Sequence, residues 1–106
     1  RLLMHSLAFG TLRPLTGNDG VTKSQLEMTL DVMAHSLVYW TQDLRARGLL
    51  ADGARIVAMT SSGSTRTIAG YGPVAAARAA LDAHCRQLAF ELAPYRIAVN
   101  AIRAGV

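Results

Sequence analysis

A tyrosine and an arginine seven residues apart are the side chains whose types and spacing could do chemistry. Tyr71 precedes a Gly-Pro pair, and Arg78 ends the run YGPVAAAR. A tyrosine hydroxyl can hydrogen-bond an oxygen on which negative charge develops, and a nearby cation supports that role. On a helix, seven residues make about two turns, so both side chains lie on nearly one face, about 10 Å apart along the axis. They could converge on one ligand, but the spacing alone also fits a packed tyrosine and a solvated arginine paired with Asp82.

Other reactive residues form no catalytic or metal-binding pattern. The serines of TSSGS, residues 60–64, do not make the G-x-S-x-G turn of a hydrolase, and no ordered Asp and His support one. The three histidines fall in separate predicted elements without metal-ligand spacing, so no metal site is expected. The single cysteine, Cys85, excludes an internal disulfide and is expected to be a small buried residue in a reducing, cytoplasmic setting.

Composition indicates one small globular domain. The chain has 106 residues, of which 51% are hydrophobic, and no apolar run approaches the length that spans a bilayer, so no membrane association is expected. The formal net charge is +4. Because the basic residues are scattered and not interleaved with aromatic residues, nucleic-acid binding is not expected either.

Two amphipathic stretches predict long helices that would position the tyrosine and the arginine. The first begins at a capping box formed by Thr22 and Gln25 and ends near Gly48. Its apolar stripe assigns to the core Leu26, Leu30, Met33, Leu37, Trp40 and Leu44. The second runs from about residue 72 to residue 93, with Pro73 in its first turn and Pro94 at its end. Its stripe consists of Val74, Ala77, Leu81, Cys85, Leu88 and Leu92.

Three apolar segments, residues 2–9, 54–60 and 97–102, predict buried strands. Loops of turn-forming or small residues are expected at 10–20 and 61–70. The order strand, helix, strand, helix, strand predicts parallel βαβ crossovers in an open α/β sheet with helices on its faces. Ligands of such sheets bind at the carboxyl ends of the strands, which here carry HSLAFG, TSSGS and IRAGV.

These segments together resemble the short-chain dehydrogenase/reductase superfamily, over nearly the whole chain. The run from residue 88 to 105, LAFELAPYRIAVNAIRAG, is a strong signal for the superfamily. Two features resemble its enoyl-[acyl-carrier-protein] reductase branch: HSLAFG, and a basic residue seven positions after the tyrosine instead of four, where Ala75 stands. The resemblance implies a partial Rossmann-type doubly wound parallel sheet, a β-α-β-α-β fragment.

The resemblance also implies roles for single residues. Tyr71 matches the tyrosine that hydrogen-bonds the thioester carbonyl and stabilises the enolate, and Arg78 matches a lysine that binds the nicotinamide ribose of NADH or NADPH. Ser61 falls where many enoyl reductases carry a second tyrosine and is taken with these two as catalytic. The implied cofactor contacts are Leu7, Ser6, Gly105 and Arg78. The implied substrate contacts are Gly10, which lines the acyl site, and Ser62, which could instead bond only the loop backbone.

The sequence departs from the family pattern at two points, which concern the extent of the domain and the residue at position 78. The glycine-rich dinucleotide loop of the family would lie before residue 1, so residues 1–106 are expected to be the central and C-terminal part of a single NAD(P)-binding domain without its glycine-rich half. Arginine replaces the family lysine at position 78, and it can hold ribose hydroxyls but cannot relay a proton.

The expected activity is reduction of the enoyl thioester double bond on acyl carrier protein, by a cytoplasmic homotetramer. The alternatives are a ketone or alcohol reductase of the same superfamily, a non-catalytic relative and an inactive fragment.

Overall fold

Three parallel strands and two helical connections make up the chain in the predicted order. The computed structural model describes residues 2–7, 10–61 and 69–104. Strands β1 (Leu2–His5), β2 (Arg55–Ser61) and β3 (Ala98–Ala104) form one sheet in the order β1-β2-β3. The parallel α/β class and the β-α-β-α-β order are therefore confirmed.

The strand register explains which side chains are buried. His5 pairs with Ala58, which pairs in turn with Ala101 on β3, so these side chains share the helix-covered face of the sheet. Leu3, Ile56 and Val99 form a second such row on the same face. Ile56 and Ala58 are fully buried there. The strands differ from the predicted bounds by one or two residues, except that β1 ends at His5 instead of residue 9; residues 6 and 7 are not strand, and residues 8 and 9 lie outside the described part.

The first helical connection contains a π-helical segment. Helix α1 (Lys23–Leu30) starts at the predicted capping box, in which the Thr22 hydroxyl accepts from the Gln25 amide and the Gln25 side chain accepts from the Thr22 amide. The π segment Asp31–His35 follows, and helix α2 (Ser36–Ala46) continues from it. Gly48, with φ +70°, lies two residues beyond α2, which fits the predicted stop.

The prediction that Trp40 lies in the core is wrong. Trp40 is 57% exposed, whereas its neighbour Thr41 is buried. Leu37 and Thr41 are both buried and lie one helical turn apart, and Trp40 lies beside this line of inward positions, where it lines a surface cleft with Leu37 and His5. Leu37 and Met33 are buried as predicted.

Helix α3 (Gly72–Leu92) lies on the same face of the sheet as α1 and α2. Its predicted stripe faces the core: Leu88 is half-buried, and the other members are buried. A 3₁₀ turn, Ala93–Tyr95, containing the predicted stop Pro94, leads to Arg96 in the left-handed region and then into β3. Because α3 contacts α1, the π segment and α2, the helices form one layer over the sheet. The helices of the described residues are too short or too polar to cross a membrane.

Candidate active site

The carboxyl edge of the sheet brings several predicted residues together at the start of α3. Tyr71 is the residue immediately before α3 and is half-buried. Gly70 precedes it with φ +70°, a conformation that favours glycine, in the turn that leads into the helix. Tyr71 packs against the cluster of Met33, Val74 and Ala77, which links the π segment to the first turns of α3. The tyrosine is therefore held between the two helical connections at the ligand-binding edge.

Gly10 lies against the same cluster. A Cβ atom at this position would stand 2.7 Å from the Met33 Sδ and 2.9 Å from a Val74 methyl, so the backbone passes where only glycine fits without a shift. The next residue is fixed to α1, because the Thr11 amide donates to the Thr29 hydroxyl at 3.1 Å. The structure thus places the predicted substrate residue Gly10 and the predicted catalytic residue Tyr71 on one small apolar cluster.

The loop after Gly10 packs over the beginning of α3. A Cβ atom at Gly72 would lie 2.7 Å from the Leu15 side chain, so this leucine contacts the backbone next to Tyr71. Leu15 is 60% exposed, so this contact lies at the surface beside the tyrosine.

Arg78 reaches back from α3 to the end of β2. Its Nη1 donates to the Met59 carbonyl oxygen at 2.8 Å, and this contact, rather than the alternative pair with Asp82, is the hydrogen bond described for the side chain. The Nε of Arg78 is buried and has no partner among the described residues. The guanidinium is therefore anchored at the carboxyl edge of the sheet, where the ribose-binding residue was predicted.

His5 and Ser36 form a buried polar contact beneath this edge. His5 Nε2 lies 2.8 Å from Ser36 Oγ, and the Ser36 hydroxyl donates to the Val32 carbonyl at 2.6 Å. Burial lowers the pKa of His5 below 6.5, its own backbone partly opposes this, and the positive charge of Arg78 lowers the pKa as well. A neutral imidazole therefore lies close to the Arg78 guanidinium.

Ser6 and Leu7 lie apart from the tyrosine, along the free edge of β1. They line a cleft of about 410 Å³ whose other walls are Leu3, Met4, His5, Leu37 and Trp40. The cleft is apolar and begins at the carboxyl end of β1. The structure therefore connects the two predicted cofactor residues to the candidate site through His5, which belongs to both.

Some predicted site residues fall outside the described part of the chain. Ser61 ends β2, but its side chain is not described, and Ser62 and Gly105 lie in segments that are not described at all. Their predicted roles stay predictions. No group of three or more His, Cys, Asp or Glu side chains within residues 2–7, 10–61 and 69–104 is arranged to hold a metal ion.

Sequence reasoning missed the buried polar residues under the site. Sequence reasoning placed His5 in no metal-binding pattern and did not single out Ser36, although both occupy inward positions of a strand and a helix. A polar side chain at a core position needs a hydrogen-bond partner, and this is the signal that would have identified the pair.

The fold and the site define the class of protein. A parallel sheet with both crossovers on one face, and a tyrosine and a basic residue seven positions apart at its carboxyl edge, are features of a Rossmann-type oxidoreductase. The model of the family described as enoyl-(acyl carrier protein) reductase matches residues 2–106, and the chain belongs to this family.

Individual relatives agree with the family. The chain is 38% identical over 104 residues to the NADH-dependent enoyl-[acyl-carrier-protein] reductase FabI of Enterococcus faecalis, covering 97% of this chain and 41% of the relative. It is 33% identical over 102 residues to the NADPH-dependent FabI of Staphylococcus aureus strain MRSA252, covering 95% of this chain and 39% of the relative. The chain thus spans about two fifths of the length of these curated relatives.

A solved structure shows the same fold. The crystal structure of the enoyl-(acyl-carrier-protein) reductase of Anaplasma phagocytophilum in complex with NAD superposes with a TM-score of 0.83 at 25% identity. The superposition covers 98% of this chain and 40% of that one.

Proposed function

We propose that the protein containing this chain reduces the carbon–carbon double bond of an enoyl thioester carried on acyl carrier protein, with NADH or NADPH as the reductant. The observation that carries the proposal is the placement at the carboxyl edge of the sheet of Tyr71, immediately before α3, and of Arg78, seven residues later within α3. Membership of the enoyl reductase family supports it. That residues 1–106 are one part of a single NAD(P)-binding domain stays a prediction.

The arginine present fits a nicotinamide cofactor. Arg78 holds its guanidinium at the sheet edge with one N–H on Met59, which leaves further donors of its five for ribose hydroxyls. The cofactor, when bound, supplies the hydride that the β carbon of the enoyl group accepts.

Tyr71 is the residue that acts on the substrate. Its hydroxyl donates a hydrogen bond to the thioester carbonyl oxygen and stabilises the enolate that forms when the β carbon is reduced; the α carbon then takes a proton. Met33, Val74 and Leu15 surround this position with apolar surface, which excludes water and suits an acyl chain. Arg78 orients the ribose and adds positive charge near the developing oxyanion.

Assays with two thioesters test the reaction. The product of the complete reading frame that contains residues 1–106 is assayed with NADH and NADPH against crotonyl and acetoacetyl thioesters. Turnover of crotonyl thioester is expected, and turnover of the acetoacetyl substrate alone would establish a ketone reductase instead. Tyr71→Phe should lower kcat about 100-fold or more with little change in cofactor affinity, because it removes one oxyanion donor.

The arginine at position 78, where the family has lysine, suggests an alternative function: a non-catalytic relative that only binds its ligand. Restoring lysine with Arg78→Lys separates the two: turnover by either form supports the enzyme, and inactivity of both forms supports a protein retained for binding alone. We also propose that the complete protein is cytoplasmic and assembles as a tetramer. Its sedimentation in solution would test the assembly.

A further inference from the structure

Two buried polar atoms without a partner among the described residues lie under the candidate site, and one can donate the hydrogen bond that the other can accept. His5 Nδ1 and Arg78 Nε are both buried without a partner among the described residues. An unsatisfied buried polar atom costs free energy, so such atoms in a folded protein call for an explanation. Thr60 Oγ1 is the third atom of this kind and provides an internal comparison.

The contact with Ser36 sets the tautomer of His5. The single hydroxyl hydrogen of Ser36 is donated to the Val32 carbonyl at 2.6 Å. Ser36 Oγ can therefore only accept at its 2.8 Å contact with His5, so His5 Nε2 carries the hydrogen. A neutral imidazole protonated at Nε2 has a bare lone pair on Nδ1, and the buried Nδ1 is thus an acceptor.

The path of Arg78 brings its guanidinium to the same place. The Ala98 amide donates to the Ala54 carbonyl, so carbonyls 54, 56, 58 and 60 point toward β3 and carbonyls 55, 57 and 59 point toward β1. β1 ends at His5, which pairs with Ala58, one residue short of Met59. The Met59 carbonyl therefore extends past the end of β1, and Arg78 Nη1 takes the place of a strand partner. From strand geometry, the Cα atoms of His5 and Met59 are about 6 Å apart.

We propose that His5 is a positioning residue for Arg78: its Nδ1 lone pair, fixed by Ser36, accepts the Arg78 Nε–H, directly or through one bound water molecule. This inference rests on the proposed function for its consequence, which is cofactor binding. Arginine has a planar fork, and two inward hydrogen bonds, to Met59 and to His5, fix the plane of that fork. The Nη2 donors are then presented outward to the ribose hydroxyls. A lysine at position 78 has no equivalent of the Nε–H and would not need His5.

The first test does not depend on the cofactor. In the product of the complete reading frame, with histidine and arginine side chains labelled with ¹⁵N, the His5 shifts should show hydrogen on Nε2 and none on Nδ1. Exchange of the Arg78 Nε–H with solvent should be slow. Three variants of His5 then separate its two nitrogens, because the amide oxygen of asparagine occupies the δ position, that of glutamine occupies the ε position, and phenylalanine has no acceptor.

The expected pattern is specific. His5→Asn should keep the Arg78 Nε–H protected, whereas His5→Gln and His5→Phe should accelerate its exchange about five- to tenfold, the effect of losing one hydrogen bond. Thr60→Val, which removes the other unpartnered acceptor, should leave the exchange unchanged. Amide protection at Ile56 and Leu81 reports whether each variant is folded. Hydrogen on Nδ1, equal exchange in all His5 variants, or exposure of Nε by Thr60→Val instead would overturn the proposal.

The second test measures the consequence by a double-mutant cycle. His5→Gln should weaken NADH or NADPH binding about tenfold when residue 78 is arginine and less than twofold when it is lysine. Equal losses in both backgrounds would show that His5 acts on the fold and not through Arg78, and would overturn the positioning role. If the unmodified protein binds neither dinucleotide, the proposed function fails, and the exchange measurements alone decide the contact between His5 and Arg78.

Discussion

The contacts of the Arg78 side chain indicate a structural role at position 78. Its Nη1 donates to the Met59 carbonyl, a group that a longer β1 would have approached, so Arg78 also closes the end of a strand. A lysine could make the same bond with one of three rotatable donors but would lack a fixed plane. Arg78 thus makes a hydrogen bond that stabilises the fold and also the proposed contact with the ribose. Double mutants are needed to measure the two effects separately.

Cys85 is expected to be chemically inert in the folded protein. Burial raises the pKa of its thiol to about 11, the charge of Asp82 adds to this and that of Arg86 opposes it. At neutral pH about one thiol in ten thousand is then ionised, and the thiolate is the reactive form. Iodoacetamide at neutral pH should leave Cys85 unmodified over a time in which it fully modifies the urea-unfolded chain. Equal labelling of the folded and unfolded protein would contradict the burial of Cys85.

Gly10 is expected to tolerate no side chain without a cost. Gly10→Ala drives a methyl group to 2.7 Å from Met33 Sδ and 2.9 Å from Val74, and overpacking of this kind reduces the free energy of unfolding by about 1–3 kcal/mol. Urea unfolding measures the loss. The double variant Gly10→Ala/Met33→Ala should lose less than the sum of its parts, because truncating Met33 leaves space for the new methyl. If the double variant loses as much free energy of unfolding as the two single variants together, the contact with Met33 is not what destabilises Gly10→Ala.

At the scale of secondary structure, the first helical connection shows what periodicity can and cannot predict. The capping box at Thr22 and the stop at Gly48 depend on local chemistry and were read correctly. The π segment Asp31–His35 has no simple sequence signature, and the apolar period did not predict that Thr41 would be buried and Trp40 exposed. Ser36 follows this segment and contacts His5, and a polar side chain at an inward position is the only sequence signal of that contact.

A pair of histidines joins the π segment to α3. His35 Nδ1 lies 2.9 Å from His84 Nε2, so one nitrogen must donate and the other must accept, and the bond is lost when both rings are charged. Burial lowers the pKa of His84 below 6.5, and the charge of His35 lowers it further. Because the unfolded chain then takes up its proton at a higher pH than the folded chain, His84 contributes stability above pH 6.5 that is lost as the pH falls through its folded pKa.

His84→Gln is therefore expected to flatten the pH dependence of stability. The free energy of unfolding, measured in urea between about pH 7.5 and pH 5, should fall less steeply in this variant than in the unmodified protein. His5 contributes a fall of the same sign, so part of the slope should remain. Carboxyl groups titrate mainly below this range and do not obscure the comparison. An unchanged slope would show that the histidine pair does not link protonation to folding.

At the scale of the whole molecule, the two faces of the sheet differ in what the described residues place on them. One face is covered by α1, α2 and α3, and the opposite face carries the alternate residues of each strand. On that second face Leu2, Met4 and Ile102 are about half exposed or more. The strand and helix pattern predicted helices on the faces of the sheet, whereas the helices of the described residues cover one face only. Which face the helices occupy follows from right-handed crossovers that proceed in one direction across the sheet, not from any single residue.

The exposed sheet face should govern association of residues 1–106 when they are expressed alone. Contiguous apolar surface binds hydrophobic dyes and promotes self-association, so the chain should enhance dye fluorescence and sediment faster than a monomer. Met4→Lys combined with Ile102→Lys should reduce both signals, because the two residues lie on that face on the outer strands β1 and β3. The control is Phe90→Lys, which charges an apolar residue on α3 that is more exposed, at 77%, than Met4 at 57% or Ile102 at 48%. If Phe90→Lys abolishes association and the sheet variants do not, the helical layer and not the sheet is the surface through which the chains meet.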